Sequence, residues 1–481
     1  MKGGLSGAAM MEAAGSAAAS FIIRSIDRRP VAILCGPGNN GGDGFVVARK
    51  LKEEGWTVRV GLLGDKASLK GDAALMARLY DGAVDPLSPS VMEGAGLIID
   101  ALFGTGLARP IEGAARDAIL AANAHAAPVF AIDLPSGVDA DTGAVLGAAI
   151  EAAATVAFIT RKPGHFLYPG RALSGAVHLA DIGVKDPWVA AAAPSVYQNH
   201  PALWANGWRR PTFASHKYAR GHAAIVSGPR LRTGAARLAA SAALRAGAGV
   251  VTMLSPADAL AENAAHLTAI MLREAEGAAA IGEILGDRRY TAALIGPAAG
   301  VGAETKDRVL TILKAGAGAV LDADALTSFE GDADTLFAAL RTDDILTPHE
   351  GEFARLFAGV AETARFPAAR AAAARARAVV VLKGADTIIA APDGRAIINA
   401  NAPFDLATAG AGDVLAGLIA GLRAQGLPGF EAAAAGVWLH GAAGQVAGPG
   451  LIAEDLPNAL PQVLRALFAP PAPKSEPGGA A

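Results

Sequence analysis

Short β-rich runs alternate with longer amphipathic ones from residue 31 onward: "VAILC", then 44–55, "TVRVGLL", then 68–81, "GLIIDAL", then 112–125, then "APVFAIDL". A chain that repeats strand and helix in this way buries its strands by laying them in a parallel sheet with helices on both faces. The first series closes with "VHLADIGV" at 177–184. A second opens with "HAAIVSGP" and continues through "AGVVTML", "AALIGP", "AVLDADAL", "DDILTP" and "AVVVLKG". Between Lys185 and Pro211 the rhythm lapses, which marks an inter-domain segment. At 481 residues the chain also exceeds what one hydrophobic core usually serves. We expect two α/β domains, each a three-layer αβα sandwich, over 1–190 and 205–468. The Pro/Gly/Ala-rich residues 469–481 are expected to be disordered.

Composition narrows the function. The formal net charge is -3 and no Lys/Arg block could neutralise a row of phosphates, so nucleic acid is not an expected partner. The one cysteine, Cys35, lies in an apolar run with no second cysteine for a disulfide or thiolate site, and a reducing, cytoplasmic setting fits best. A secretory signal over residues 1–23 is rejected. Glu12 interrupts the apolar stretch, and Met10, Met11, Ala14 and Ala18 recur at helical spacing, as one buried face would. Ala432 to Ala453 contains no Asp, Glu, Lys or Arg, yet Gly436, His440, Gln445 and Pro449 make it a poor membrane span, so it reads as a buried helix. The apolar C-terminal helices leave room for a subunit interface, and a homo-oligomer is expected.

The turn after "VAILC" holds Gly36, Gly38, Gly41, Gly42 and Gly44, with Asn39, Asn40 and Asp43 between them. Glycine and asparagine tolerate positive φ, so N–H groups could converge on an anion at the next helix. The helix is expected to begin after Gly42, with Asp43 as its cap, making the loop too long and polar for an ordinary dinucleotide fingerprint. The second strand ends in Gly64 and Asp65, later than the usual ribose-binding acid. Asp100 in "DALFGTGLARP", and Asp133 and Ser136 in "AIDLPSGVDADTG", stand at other strand ends and should meet this loop in one crevice.

In this order and spacing, "MMEAAG", "CGPGNNGGDGFVVARKL", "DALFGTGLARPIEG" and "IDLPSGVDADTG" resemble the NAD(P)H-hydrate epimerase domain, over residues 8 to 185. The resemblance implies a Rossmann-like fold. It implies that Asn39, Asn40, Gly41, Gly42, Asp43, Gly104, Thr105, Gly106, Leu107, Ala108, Arg109, Pro110 and Asp133 contact a hydrated nicotinamide nucleotide. It further implies a potassium ion on Asn40, Asp100 and Ser136, which suits their oxygen ligands. Asp133 is the candidate for proton transfer. Family members usually carry a longer lead-in before the "MMEAAG" helix.

The second half centres on "LATAGAGDVLAGLIAGL" (Leu406 to Leu422). Gly410, Ala411 and Gly412 place backbone N–H groups at a helix N-terminus beside Asp413. Phosphoryl transfer needs such a pairing: donors for the moving charge and a base for the hydroxyl proton. "VVVLKGADTII" puts Lys383, Gly384 and Thr387 at one strand exit, and "ILTPHEGEFARL" puts His349, Glu350 and Glu352 at another. Taken singly, these read equally well as helix caps or structural side chains. No His/Cys spacing argues for zinc.

With "HKYARGHAAIVSGP", "TGAARLAASAALRAGAGVVT", "IGPAAG" and "LDADAL", they resemble the ADP-dependent NAD(P)H-hydrate dehydratase of the ribokinase-like superfamily, over residues 205 to 465. The resemblance implies that Lys383, Gly384, Ala385, Asp386, Thr387 and Gly412 touch an adenine nucleotide, and that Gly300, His349 and Asp413 touch the hydrate. Asp413 would be the base, and ADP with Mg2+ the co-substrate. Ala298 and Ala411 depart from the family, standing where Gly and Ser/Thr are common. Two other readings stay open on the residues alone. One is a ribokinase-like kinase of a small alcohol with an N-terminal binding module; the other is an NAD-dependent oxidoreductase, which lacks its ribose-binding acid.

Overall fold

The computed structural model describes residues 6–469, so the tail expected to be disordered lies, from residue 470, outside the described residues. The chain divides into two compact units between Pro194 and Ser195.

The first unit is a seven-stranded parallel sheet of β1 (Val31–Cys35), β2 (Val58–Leu62), β3 (Val84–Pro86), β4 (Leu97–Ala101), β5 (Val129–Ile132), β6 (Ala154–Phe158) and β7 (Ala176–Ala180), in the order β3-β2-β1-β4-β5-β6-β7. Alternate side chains of one strand feed opposite cores. Ile33 joins Met11, Ala18, Ile22 and Phe45 under α1 (Gly7–Ser25) and α2 (Asn39–Glu53), whereas Ala32 and Leu34 join Ala115 and Ile119 on the other face. In α1, Met11, Ala14 and Ala18 are buried as expected, and Met10 is half-buried.

The glycine turn differs from expectation. α2 begins at Asn39, so Gly41, Gly42 and Asp43 lie inside its first turns, and Gly38 is the cap. None of Gly36, Gly38, Gly41, Gly42 and Gly44 takes a positive φ. Close approach explains them instead: a methyl at Gly41 would lie 1.8 Å from the Gly36 carbonyl oxygen, and one at Gly36 1.8 Å from that of Leu102. The helix thus starts hard against its strand, and the tight helix packing that the loop seemed too long to allow is present. We expect Gly41→Ala to cost about 2–3 kcal/mol by overpacking, read as a lower urea midpoint for unfolding.

The second unit holds β8 (Val196–Gln198), β9 (His222–Val226), β10 (Val250–Ser255), β11 (Met271–Glu274), β12 (Ala292–Ile295), β13 (Gly318–Leu321), β14 (Ile345–Leu346), β15 (Val379–Leu382), β16 (Ile388–Ala390) and β17 (Ala396–Ile398). Their order is β11-β10-β9-β12-β13-β14-β15-β16-β17-β8, parallel from β11 to β15 and antiparallel through β16. Part of the expected inter-domain segment therefore belongs to this unit: β8 pairs with β17, and Trp204 is buried against Trp208 and Trp438. Aromatics amid Pro and Asn read as a lapse in periodicity, yet they are core. Helices Gly234–Arg245 and Ala411–Ala424 meet almost backbone to backbone, since a methyl at Gly417 would lie 2.2 Å from the Ala239 carbonyl oxygen. Most of the uncharged stretch from Ala432 lies in the largely buried helix Gly429–Ala447, and no described helix is long and apolar enough to cross a membrane.

Candidate active sites

In the first sheet the strand order reverses between β1 and β4, where an open α/β sheet places its ligand crevice. A cleft of about 710 Å³ opens there. Of the expected residues, Asn39, Asn40, Asp43, Gly104, Thr105, Gly106, Leu107 and Asp133 line it. Gly41 and Gly42 are buried in helix packing behind it, and Ala108, Arg109 and Pro110 are exposed beyond the lining.

Asp133 leaves β5 with φ +65°, an unusual conformation for a residue with a side chain. Its backbone N–H bonds Val156 O at 2.8 Å, its carbonyl meets His165 Nε2 at 2.9 Å, and its carboxylate pairs with Lys162. Lys162 Nζ also donates to Phe158 O at 3.1 Å. Burial holds His165 down to about 4, so it stays neutral and fixes the loop. Burial, reinforced by the nearby Asp133 carboxylate, pushes Asp43 up to about 8 despite the opposing Lys162 charge. The cleft therefore holds a proton-bearing carboxyl beside an ion-paired one at neutral pH. A methyl at Gly104 would lie 3.5 Å from both Asn40 Oδ1 and Asp133 Oδ2, so the glycine lets these two groups face one space.

Beneath this floor Asp100 is fully buried, accepting from Ser136 N at 2.7 Å and Ser136 Oγ at 2.5 Å. Burial raises it to about 6, against the bonds from Ser136 and Leu102. Ser136 Oγ also accepts from Phe103 N at 2.8 Å, tying this pair to the loop that carries Gly104. Asn40 is buried, and neither its Oδ1 nor its Nδ2 has a partner. An orphaned buried amide is costly; its oxygen, with those of Asp100 and Ser136, is a donor set suited to a hard cation.

In the second unit the strand exits converge on Lys383. It follows β15, and its Nζ lies 2.6 Å from Asp322 Oδ1, which also accepts from Thr347 Oγ1 at 2.8 Å. A methyl at Gly412 would lie 3.7 Å from Lys383 Nζ, which places the lysine at the start of helix Ala411–Ala424. Burial works against the Lys383 charge, but Asp322, Glu352 and Asp413 together hold its pKa above the usual value. Asp413, in the first turn of that helix, is pushed up to about 6 by burial and by Asp322, with Lys383 opposing. Glu352 is likewise raised by burial. Gly410 caps the helix with φ +85°, which turns the loop so that the following N–H groups lead the helix.

The other expected residues sit around this centre. His349 is the cap of helix Glu350–Leu356, its Nδ1 accepting from Gly351 N at 2.9 Å and its Nε2 lying 3.2 Å from Glu352. Gly300 N donates to Asp324 Oδ2 at 2.8 Å. Asp386 is buried and bound to Arg365, whose guanidinium lies along Gly384. Ala385 and Thr387 share that turn, Thr387 Oγ1 bonding Gly384 O at 2.9 Å. Ala298 holds φ +55°, a conformation in which the family's glycine would be unstrained.

Sequence reasoning passed over three residues. Lys162 and His165 follow β6, an unread strand. Asp322 reads as part of an ordinary strand-turn-helix connection, although it stands at a strand exit where polar residues collect; Glu352, expected at such an exit or as a first-turn acid, does face Lys383.

Two doubly wound units, each with acids and a lysine gathered at its strand exits, define a two-site α/β chain suited to nucleotide substrates. Comparison with known proteins narrows this. The sequence profile described as YjeF-related protein N-terminus matches residues 7–164, and that described as NAD(P)H-hydrate dehydratase matches residues 223–462. The bifunctional NAD(P)H-hydrate repair enzyme of Thermofilum pendens is 36% identical over 95% of this chain and 92% of its own, and that of Moorella thermoacetica 38% identical over the same shares. The chain belongs to the bifunctional NAD(P)H-hydrate repair enzyme family. A ribokinase-like superfamily protein from Enterococcus faecalis, 23% identical, matches 57% of this chain and 98% of its own with a TM-score of 0.53, which shows the fold of the second unit.

Proposed function

We propose that the protein repairs hydrated NADH and NADPH in two steps: the first unit interconverts the R and S hydrates, and the second dehydrates the S form. The observation that carries this reading is identity to repair enzymes along 95% of the chain, both units included. Fusion suits the chemistry, because a stereospecific dehydratase strands the R form unless something interconverts the two.

In the first unit, Asp133 moves a proton at the nicotinamide ring, held in place by Lys162 and His165, while Asn39, Asn40, Asp43 and the 104–107 loop seat the substrate. Potassium on Asn40, Asp100 and Ser136 would supply fixed positive charge under that loop. In the second unit, Asp413 takes the proton from the ring hydroxyl as the phosphoryl group arrives from ADP. The Gly410–Gly412 amides and Lys383 stabilise the charge that develops. Phosphate then leaves with the hydroxyl oxygen as the neighbouring ring carbon gives up a proton to form the double bond, so that the products are AMP, phosphate and the reduced nicotinamide. Mg2+ binds mainly through phosphates and water, so it would enter with the nucleotide.

The test mixes the protein with both hydrate epimers, Mg2+ and ADP, then ATP instead, and follows the reduced-nicotinamide absorbance. Recovery from both epimers with ADP is expected; no recovery with either nucleotide would favour a small-alcohol kinase. A second test is the pH profile. Asp413 must be ionised to act as base, so S-hydrate kcat/KM should be flat above about pH 6 and fall about tenfold per unit below it. A profile flat down to pH 4 would remove Asp413 from that role.

A further inference from the structure

The second unit carries another cleft, of about 540 Å³, away from its candidate active site. Lys383 and Asp413 stand at the carboxyl ends of the parallel strands, whereas this cleft opens at their amino ends: Arg220 precedes β9 and Gly247 precedes β10. Three guanidinium-bearing residues, Arg210, Arg220 and Arg465, line it, and among the described residues no carboxylate does. Arg220 Nε is shielded from solvent without a hydrogen-bond partner, Arg465 Nε bonds only Pro461 O at 3.0 Å within its own helix, and Arg210 lies 4.6 Å over the Phe468 ring.

Two bland explanations fall short. The helices ending at Arg245 and Ala424 point their C-termini here, but two such ends supply only about one negative charge against three guanidiniums. Gln425 is no counter-group either: its Oε1 accepts from Trp208 Nε1 at 3.0 Å, and its Nε2 donates to Ala246 O and Gly421 O. The apolar wall is aromatic, with Phe468 edge-on to Trp208 at 5.2 Å. The volume falls in the range of small-molecule sites.

We propose that this cleft is a second binding site for a phosphate-bearing nucleotide, its phosphate held by Arg220 and Arg465 and its base lying along the Trp208–Phe468 wall. Guanidinium forks match phosphate oxygens in pairs and stack on planar rings. A ligand there would not compete with substrate at Asp413.

Equilibrium dialysis of the full chain against AMP, with no hydrate present, tests this independently of the repair reaction. Binding beyond one AMP per chain is expected at saturation, with one of the sites in this cleft. The Arg210→Gln/Arg465→Gln variant, changed only at exposed positions, should lose about tenfold in affinity at one of them and keep the other. Arg220→Lys, which keeps the charge and loses the fork, should weaken the same one, and adenosine should not fill it. AMP binding that keeps every affinity and its stoichiometry in both variants would overturn the proposal, whatever the number bound.

Discussion

Replacing Asp413 with Asn should abolish dehydration of the S hydrate, by about 10³-fold or more in kcat, while R/S interconversion continues at the wild-type rate. General-base contributions of about 10²–10⁴ set the scale, and no second carboxylate occupies the first turn of helix Ala411–Ala424. Loss of fold is not a competing explanation, and the linkage sign shows why. Burial raises the folded pKa of Asp413 from 3.8 to about 6, so the ionised carboxylate is less favourable in the folded chain than in the unfolded one. Its contribution turns unfavourable as pH rises past 3.8 and reaches its full cost above about 6. An amide of the same shape removes that cost, so the variant should melt no lower than wild type at pH 8. Chirally resolved hydrate assays, run with the melting curve, separate the cases. Simultaneous loss of interconversion would refute the two-site division.

Much of this arrangement was legible because its signals are local. Buried strand runs and amphipathic intervals announced two α/β units, and Asp100, Asp133, Lys383 and Asp413 stand at strand or helix ends where topology gathers polar groups. What escaped was tertiary. The glycines after β1 suggested backbone freedom, but Gly36 and Gly41 are needed because two carbonyl oxygens leave no room for a Cβ. That crowding comes from β4 and from the turn itself, and no spacing rule reports it. Lys162 was invisible for a similar reason: it lies 29 residues from Asp133 and becomes its partner only when β6 docks beside β5. Trp204 was misread because its partners, Asn199 and Trp438, come from an edge turn and a distant helix.

Asp133→Asn should slow use of the R hydrate by about 10²-fold or more, again on the scale of proton-transfer groups, and leave the S hydrate turning over normally. This substitution is informative because of the backbone. Asp133 sits at φ +65°, where most side chains are strained and Asn is among the best tolerated residues. The bonds that hold it, from its N–H to Val156 O and from its carbonyl to His165, belong to the main chain and survive. What changes is the charge: Lys162 loses its counter-ion and keeps only neutral acceptors, Phe158 O and the amide oxygen that replaces the carboxylate. Asp43 loses the neighbouring carboxylate that helps to raise it, so its pKa should drop from about 8 while burial still holds it above the usual carboxylate range. The alkaline limb of any residual interconversion should therefore move to lower pH, a shift that a purely structural defect would not produce. Equal slowing of both hydrates would instead place Asp133 outside the epimerisation step, and an unchanged R-hydrate rate would leave Asp43 and Lys162 as the proton-carrying pair of the cleft.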